Sequence, residues 1–406
     1  VRPEDALLFP ARGDGGKPQG EDKMPVIPFN VPFLTGDEES YMLDALRSGK
    51  HCGNHGWGVK CIQHMKEKYG FHEVFLTPSG TAALEMGAML GGLEPGDEVI
   101  LPSYTFSSTA NAVVLQGARP IFCEIEPNTM NIDPDRIEEL ITPKTRMIIP
   151  IDYAGIPCDL GRIKPIAQRH GLTIMLDAAQ SFGSKDKDGT WCGASTPLAT
   201  FSFHETKNIG CGEGGALVVN RPEWVERAHF LQEKGTNRRL VLDGVRSKYG
   251  WVDKGSSFLL SDILAAMLYA QLQHAEDIVA RRSLVTKAYI DLLADYEKGG
   301  HLRIPHPPSG VTLNHHAFFI VFSSSEDRGR FLGLLKERQV NAYIGYVPLH
   351  SFSMGLSLGY RARDLPLTED VASRIVRLPL YANLSSDGLS YTLEAMEQVL
   401  RLMFSR

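Results

Sequence analysis

The chain has 406 residues, 43% hydrophobic and 22% charged, a balance that excludes a wholly disordered chain, a collagen or a coiled coil. At roughly 150 residues per domain it has length for two or three domains, and it can bury a large core without disulfide or metal staples. The 42 Lys and Arg against 48 Asp and Glu leave a net charge of −6 and a pI near 6.1. That argues against a non-specific nucleic-acid or membrane-surface binder and leaves small anionic ligands open.

Residues 1–24 mix acidic and basic side chains with Gly and Pro, and predict a flexible lead with no secretory signal pattern. No run approaches the ~18 apolar residues of a membrane span. The six cysteines, Cys52, Cys61, Cys123, Cys158, Cys192 and Cys211, contain no CxxC pair. They predict reduced thiols in a cytoplasmic protein, with neither a disulfide framework nor a metal site. From residue 74 the texture alternates. Strands are expected at 74–77, 98–101, 120–124, 147–151, 173–176, 199–203 and 216–219, with helices at 82–90, 109–116, 134–140 and 160–169 between them. Such alternation predicts an α/β fold, a mostly parallel sheet sandwiched by helices, with ligands bound at the carboxyl ends of its strands. After residue 262 the pattern shifts to a long helical stretch at 263–294, a strand at 316–322, a helix at 328–338, a strand at 341–346 and a last helix at 393–404. The expected organisation is a lead (1–24), a large α/β domain (25–270), and a linker helix with a smaller α+β C-terminal domain (271–406).

Four strand-end segments carry chemistry. In Thr77-Pro78-Ser79-Gly80-Thr81-Ala82 a strand runs through a small-residue turn into a helix. Its free N–H groups and dipole form an anion cradle, or simply an N-capped helix with hydroxyls serving the cap. Asp177 ends an apolar strand and points a carboxylate into the crevice, or caps the next helix. Lys207 follows another strand in Phe201-Ser202-Phe203-His204-Glu205-Thr206-Lys207-Asn208, where a lone lysine is ordinarily a solvated charge. Phe106, just past a strand, is able to stack on a ring or pack in the core. Together they match what pyridoxal phosphate needs: a lysine for the Schiff base, an acid on the pyridine nitrogen and a phosphate cradle.

The segments SGTAAL (79–84), LPSYTF (101–106), DAAQ (177–180) and FSFHETKN (201–208) resemble the fold-type-I, aspartate-aminotransferase-like nucleotide-sugar aminotransferases of the DegT/DnrJ/EryC/StrS type. Within that family IPFN (27–30), LPSYTFSSTANA (101–112), NTMNID (128–133), EKGTNR (233–238), GSSFLLSD (255–262) and RLPLYANLS (377–385) resemble the TDP-4-keto-6-deoxyhexose 4-aminotransferases. The resemblance implies pyridoxal 5'-phosphate, with pyridoxamine 5'-phosphate as its intermediate form. It implies Lys207 as Schiff-base lysine and proton shuttle, Asp177 on the pyridine nitrogen, Gln180 on the ring hydroxyl and Phe106 stacked on the ring. Gly80, Thr81 and Ser202 would bind the phosphate. Ser257 stands where many relatives donate an asparagine from the other subunit, which implies a homodimer with shared sites. Asp152 stands where relatives often carry histidine, on the sugar side.

Trp57, in an expected flexible loop with His55 and three glycines, is a further candidate for the sugar nucleotide, as are Arg238, Tyr346 and His350. Each has a plainer reading as packing or surface. The implied reaction moves an amine from L-glutamate to a TDP-4-keto-6-deoxyhexose, giving a gluco or galacto 4-amino-4,6-dideoxy sugar for polysaccharide or natural-product glycoside synthesis. The alternatives are an aminotransferase on a 3-keto nucleotide sugar, a desulfurase-like lyase, or a non-catalytic regulator on the same fold. Retention of Lys207 speaks against the last, and the absence of a GxGxxG after a strand speaks against a nucleotide-dependent oxidoreductase.

Overall fold

The computed structural model describes residues 25–404, so the expected lead lies outside the described residues. Seven strands form the larger sheet: β1 (Glu73–Thr77), β2 (Glu98–Pro102), β3 (Arg119–Cys123), β4 (Thr145–Ile148), β5 (Thr173–Asp177), β6 (Leu198–Ser202) and β7 (Gly215–Val219). Their order is β1-β7-β6-β5-β4-β2-β3. The run from β6 to β3 is parallel, and β7 is antiparallel to both β1 and β6. The sheet is therefore mixed at one edge and parallel elsewhere.

The helices are α1 (Glu38–Arg47), α2 (Gly56–Tyr69), α3 (Gly80–Leu90), α4 (Ser107–Val114), α5 (Leu160–His170), α6 (Val225–Gln232), α7 (Arg238–Leu242), α8 (Asp262–Gln273), α9 (Ala275–Lys298), α10 (Ser325–Glu337), α11 (Ser353–Ser357), α12 (Pro366–Arg374) and α13 (Ser386–Phe404). Strand side chains alternate between faces, so each strand feeds two cores. Leu76, Ile100, Ile148 and Leu176 pack with Met65 of α2, Ile163 of α5 and Leu268 of α8. Their neighbours Phe75, Leu101, Met147 and Met175 pack on the opposite face with Leu84 of α3, Val113 of α4 and Leu231 of α6. Burial on both faces is why these strands are continuous apolar runs.

A second sheet, antiparallel throughout, has the order β10-β11-β9-β8. Its strands are β8 (Leu302–Arg303), β9 (Phe318–Phe322), β10 (Tyr343–Ile344) and β11 (Ile375–Leu378). Phe318, Ile320 and Phe322 face a core shared with α9, α10 and α13. Phe319, Val321 and Ile375 face the other way, and meet Tyr104, Ile125 and Tyr153 of the larger layer. That seam borders the site described below.

Several elements depart from the sequence pattern. The helix expected at 134–140 is two short 3₁₀ turns, Pro134–Arg136 and Glu138–Leu140, with Asp133 capping the first. The long stretch at 263–294 is two helices meeting at His274, whose N–H closes α8 on the Gln271 and Leu272 carbonyls. The strand expected to reach residue 151 stops at Ile148; Pro150 lacks an N–H, and Ile151 keeps one isolated bridge to Asp177. Residues 56–69, expected to begin as a loop, are helical. Among the described residues no helix is long and apolar enough to cross a membrane.

Candidate active site

The segments singled out above lie at the carboxyl ends of β1, β2, β5 and β6, and their side chains meet there. Gly80 opens α3 behind Ser79, whose hydroxyl accepts the Ala82 N–H at 3.0 Å. The plainer capping role therefore holds for Ser79. A Cβ on Gly80 would stand 2.8 Å from the Ser202 Cβ, so only glycine lets the helix start lie against the end of β6. The Thr81 and Ser108 hydroxyls share a hydrogen bond of 2.7 Å. This leaves helix-start N–H groups and three hydroxyl-bearing residues, Thr81, Ser108 and Ser202, around one concave point, which suits an anion.

Asp177 is buried at the end of β5. Burial raises its carboxyl above the usual range; the Thr109 hydroxyl, the Ala179 N–H and the Lys207 charge oppose that rise. The Thr109 hydroxyl donates to Oδ2 at 2.7 Å and the Ala179 N–H donates to Oδ1 at 3.1 Å. Burial lowers the Lys207 ammonium to about 8, opposed by the Asp177 carboxylate and assisted by the Arg377 guanidinium. A lysine so placed has a substantial free-amine fraction near neutrality and can attack an aldehyde. Phe106 caps α4 with 57% of its surface exposed, an unusual state for a large aromatic and one that leaves a ring face open beside the cradle.

The Gln180 amide is fixed by the Ala154 N–H on Oε1 at 2.7 Å, so Nε2 donates to the Tyr346 hydroxyl at 3.0 Å. Tyr346 is thereby brought to the site's rim, and burial pushes its phenol up to about 12. The other substrate candidates are held by contacts of their own. Trp57 is in α2, 7% exposed, stacked on Tyr41 at 4.6 Å and covered by Lys60. Asp152 is 1% exposed, and its carboxylate accepts from the Ser181 hydroxyl at 2.6 Å and the Cys158 N–H at 2.8 Å within the protein. His350 is fully buried between Ser103 at 2.7 Å and Glu369 at 2.9 Å. Arg238 opens α7 and pairs with Glu233 at 3.0 Å. Ser257 is exposed, in a segment tied to Glu233 and remote in sequence from the cradle.

Five further side chains reach this site without having been singled out: Thr109, Asn208, Asn314, His316 and Arg377. Arg377 sits on β11 within the apolar run 375–380, at the head of the 377–385 segment, where a lone charge among apolar neighbours marks it. Its guanidinium lies 5.5 Å from the Tyr346 ring and has no carboxylate partner among the described residues. Asn208 and His316 hydrogen-bond at 3.0 Å across 108 residues, a contact that spacing does not announce.

Residues 38–397 match the sequence model of the DegT/DnrJ/EryC1/StrS aminotransferase family. A pleiotropic regulatory protein of Geobacillus stearothermophilus is 32% identical over 325 residues, 80% of this chain and 84% of that one. Among solved structures, the sugar aminotransferase Spr1654 from Streptococcus pneumoniae, described as putative and solved in both PLP and PMP forms, is 25% identical. In its PLP form it has a TM-score of 0.86 over 94% of this chain and all of its own. DesV of S. venezuelae, in complex with a ketimine intermediate, is 28% identical with a TM-score of 0.83, covering 92% of this chain and 98% of its own. The cradle, the buried carboxylate and the strand-end lysine fit the cofactor that Spr1654 binds, and a match of this extent makes the chain a member of the DegT/DnrJ/EryC1/StrS aminotransferase family, a sugar aminotransferase that works with pyridoxal phosphate.

Proposed function

We propose that the protein transfers the amino group of L-glutamate to TDP-4-keto-6-deoxy-D-glucose, releasing 2-oxoglutarate and a TDP-4-amino-4,6-dideoxyhexose. The observation that carries the reading is the convergence of Lys207, Asp177 and the Gly80 cradle at adjoining strand ends, with Lys207 lowered to about 8. The choice of a 4-keto TDP sugar is supported by the segments at 101–112, 255–262 and 377–385.

Pyridoxal phosphate supplies an aldehyde to carry the amine and a protonated ring that spreads negative charge from the reacting carbon. The chain does the rest. The Lys207 Nζ would anchor the cofactor and, as a free amine, would take the proton from the donor α-carbon as base and return it as acid. The Asp177 carboxylate would hold the protonated ring nitrogen, with the Thr109 hydroxyl and the Ala179 N–H on its oxygens opposing the rise that burial causes. The N–H groups at Gly80 and Thr81, with the Ser202 hydroxyl, would hold the phosphate, and Phe106 would stack on the ring. Gln180 presents Nε2 to the ring hydroxyl, oriented by Ala154. Ser257, exposed on its own subunit, serves the phosphate of a second copy in a homodimer. All six cysteines are free, in keeping with a reducing cytoplasm.

The holoenzyme given L-glutamate and TDP-4-keto-6-deoxyglucose is expected to form a nucleotide sugar aminated at C4, read from its proton couplings, which also name the epimer. Amination of a 3-keto isomer alone would reassign the substrate. Cofactor binding without any amine transfer would favour a regulator, the role in the name of the Geobacillus relative.

A further inference from the structure

Asn208, next to Lys207, fixes the chemistry of a histidine that the reaction above leaves unused. Its Nδ2 donates to the Asn314 carbonyl at 2.6 Å, and a carbonyl only accepts, so the orientation of this amide is set. Its Oδ1 therefore faces His316 Nδ1, at 3.0 Å, and can only accept. The proton of the His316 ring lies on Nδ1. Burial and the facing charges, Lys207, Arg282 and Arg377, all cationic, keep the ring from taking a second proton. A neutral ring protonated at Nδ1 carries a lone pair on Nε2, and Nε2 has no partner among the described residues.

The mounting is rigid. Arg282 of α9 donates to the His315 and His316 carbonyls at 2.8 and 2.6 Å. The Asn314 side chain donates to the Gln180 and Phe182 carbonyls at 2.8 and 3.0 Å, and its Oδ1 accepts the His316 N–H at 3.0 Å. The loops that carry Gln180 and Lys207 are thus pinned to the same residues that hold the ring. A fixed acceptor beside the reacting lysine, among cations that offer no competing carboxylate, is fitted to a neutral donor such as a hydroxyl.

We propose that His316 Nε2 accepts a hydrogen bond from the sugar hydroxyl adjacent to the reacting carbonyl, and so selects the keto sugar. The inference rests on the 4-keto-6-deoxyhexose reading. In such a sugar C5 carries the methyl group and the ring oxygen, so the C3 hydroxyl is the one hydroxyl next to the carbonyl carbon.

The test compares TDP-4-keto-6-deoxyglucose with its 3-deoxy analogue on wild-type, His316→Leu and His316→Gln holoenzymes, with the visible absorbance of the lysine-bound cofactor confirming an assembled site. The wild type is expected to prefer the hydroxylated sugar by roughly tenfold in kcat/KM, the effect of one buried hydrogen bond left unmade. His316→Leu is expected to lose that preference by slowing only the hydroxylated sugar, while the single-turnover half-reaction with L-glutamate is unchanged. His316→Gln, which returns an acceptor oxygen, is expected to recover part of it and serves if the leucine variant does not fold. Equal loss with both sugars, or equal slowing of the glutamate half-reaction, would overturn the proposal and leave His316 a packing residue. A wild type that takes the amine from glutamate and passes it to neither sugar refutes the substrate reading instead, and the C3 assignment falls with it.

Discussion

Lys207 is the residue on which the account turns, and its proton is weakly held. Burial opposes the charged form more than Asp177 supports it, and Arg377 adds to the opposition, which brings the ammonium to about 8. Only the free amine attacks an aldehyde. The rate of pyridoxal phosphate uptake by the cofactor-free protein is therefore expected to rise with pH, pass its midpoint near 8 and level off above it, followed by stopped-flow absorbance. A midpoint near the ordinary lysine value would remove the physical basis for calling the residue activated. Lys207 and Asp177 were legible in sequence through their combination: each ends or follows an apolar strand at the crevice, and together with the Gly80 cradle they match what pyridoxal phosphate needs. Asp152 shows the limit of that logic. It too follows a strand, yet it is 1% exposed, with Ser181 and Cys158 each donating to one of its oxygens. His350 is taken up in the same way by Ser103 and Glu369, the nearer of them 19 residues away in sequence.

At the scale of elements, the packing of α3 against β6 decides whether the cradle exists. The Gly80→Ala substitution would put a methyl 2.8 Å from the Ser202 Cβ, and the helix start has to move away from the strand end. Weaker cofactor binding is expected, by roughly fivefold to a hundredfold for an overpacking cost of about 1–3 kcal/mol at this site, measured by titration of the visible band. Unchanged affinity would show that the phosphate sits elsewhere. The strands and helices of this layer followed from alternation in the sequence, because burial on both faces leaves a plain apolar signature. Helix α2 did not. Its first residues, Gly56, Trp57 and Gly58, have loop composition, and the start is secured from outside. Asp262 of α8 accepts the Trp57 and Gly58 N–H groups at 3.1 and 2.8 Å, from more than 200 residues away. A cap supplied at that distance has no local signature, so Trp57 was expected in a mobile loop and is instead in the core. Strand β11 was likewise unannounced, since four residues interrupted by Arg377 give too short a pattern to read.

The whole molecule is two sheets joined by a seam of aromatic rings, with the site at its edge. Tyr104 is the hinge pin of that seam: its hydroxyl accepts the Tyr346 N–H at 3.1 Å and lies 3.3 Å from the Tyr153 hydroxyl. Gly345 approaches so closely that a Cβ there would stand 1.7 Å from the Tyr104 hydroxyl. Gly345→Ala is expected to force the two layers apart locally, cost about 1–3 kcal/mol of stability, seen as a lower thermal midpoint, and displace Tyr346 from Gln180. Calorimetry showing an unchanged midpoint would mean that the seam is looser than described. The net charge of −6 discouraged an anionic polymer as partner, but the site concentrates Lys207, Arg377 and helix-start N–H groups against one buried carboxylate. Local potential, which whole-chain charge averages away, is what a small phosphate-bearing ligand meets. The most direct trial of the account is covalent mapping: reduce the holoenzyme with borohydride, digest it, and find the cofactor-bearing peptide by mass spectrometry. The pyridoxyl group is expected on Lys207, with no visible band and no labelled peptide in Lys207→Ala; a label on another lysine, or a Lys207→Ala protein that keeps the band, would contradict that assignment.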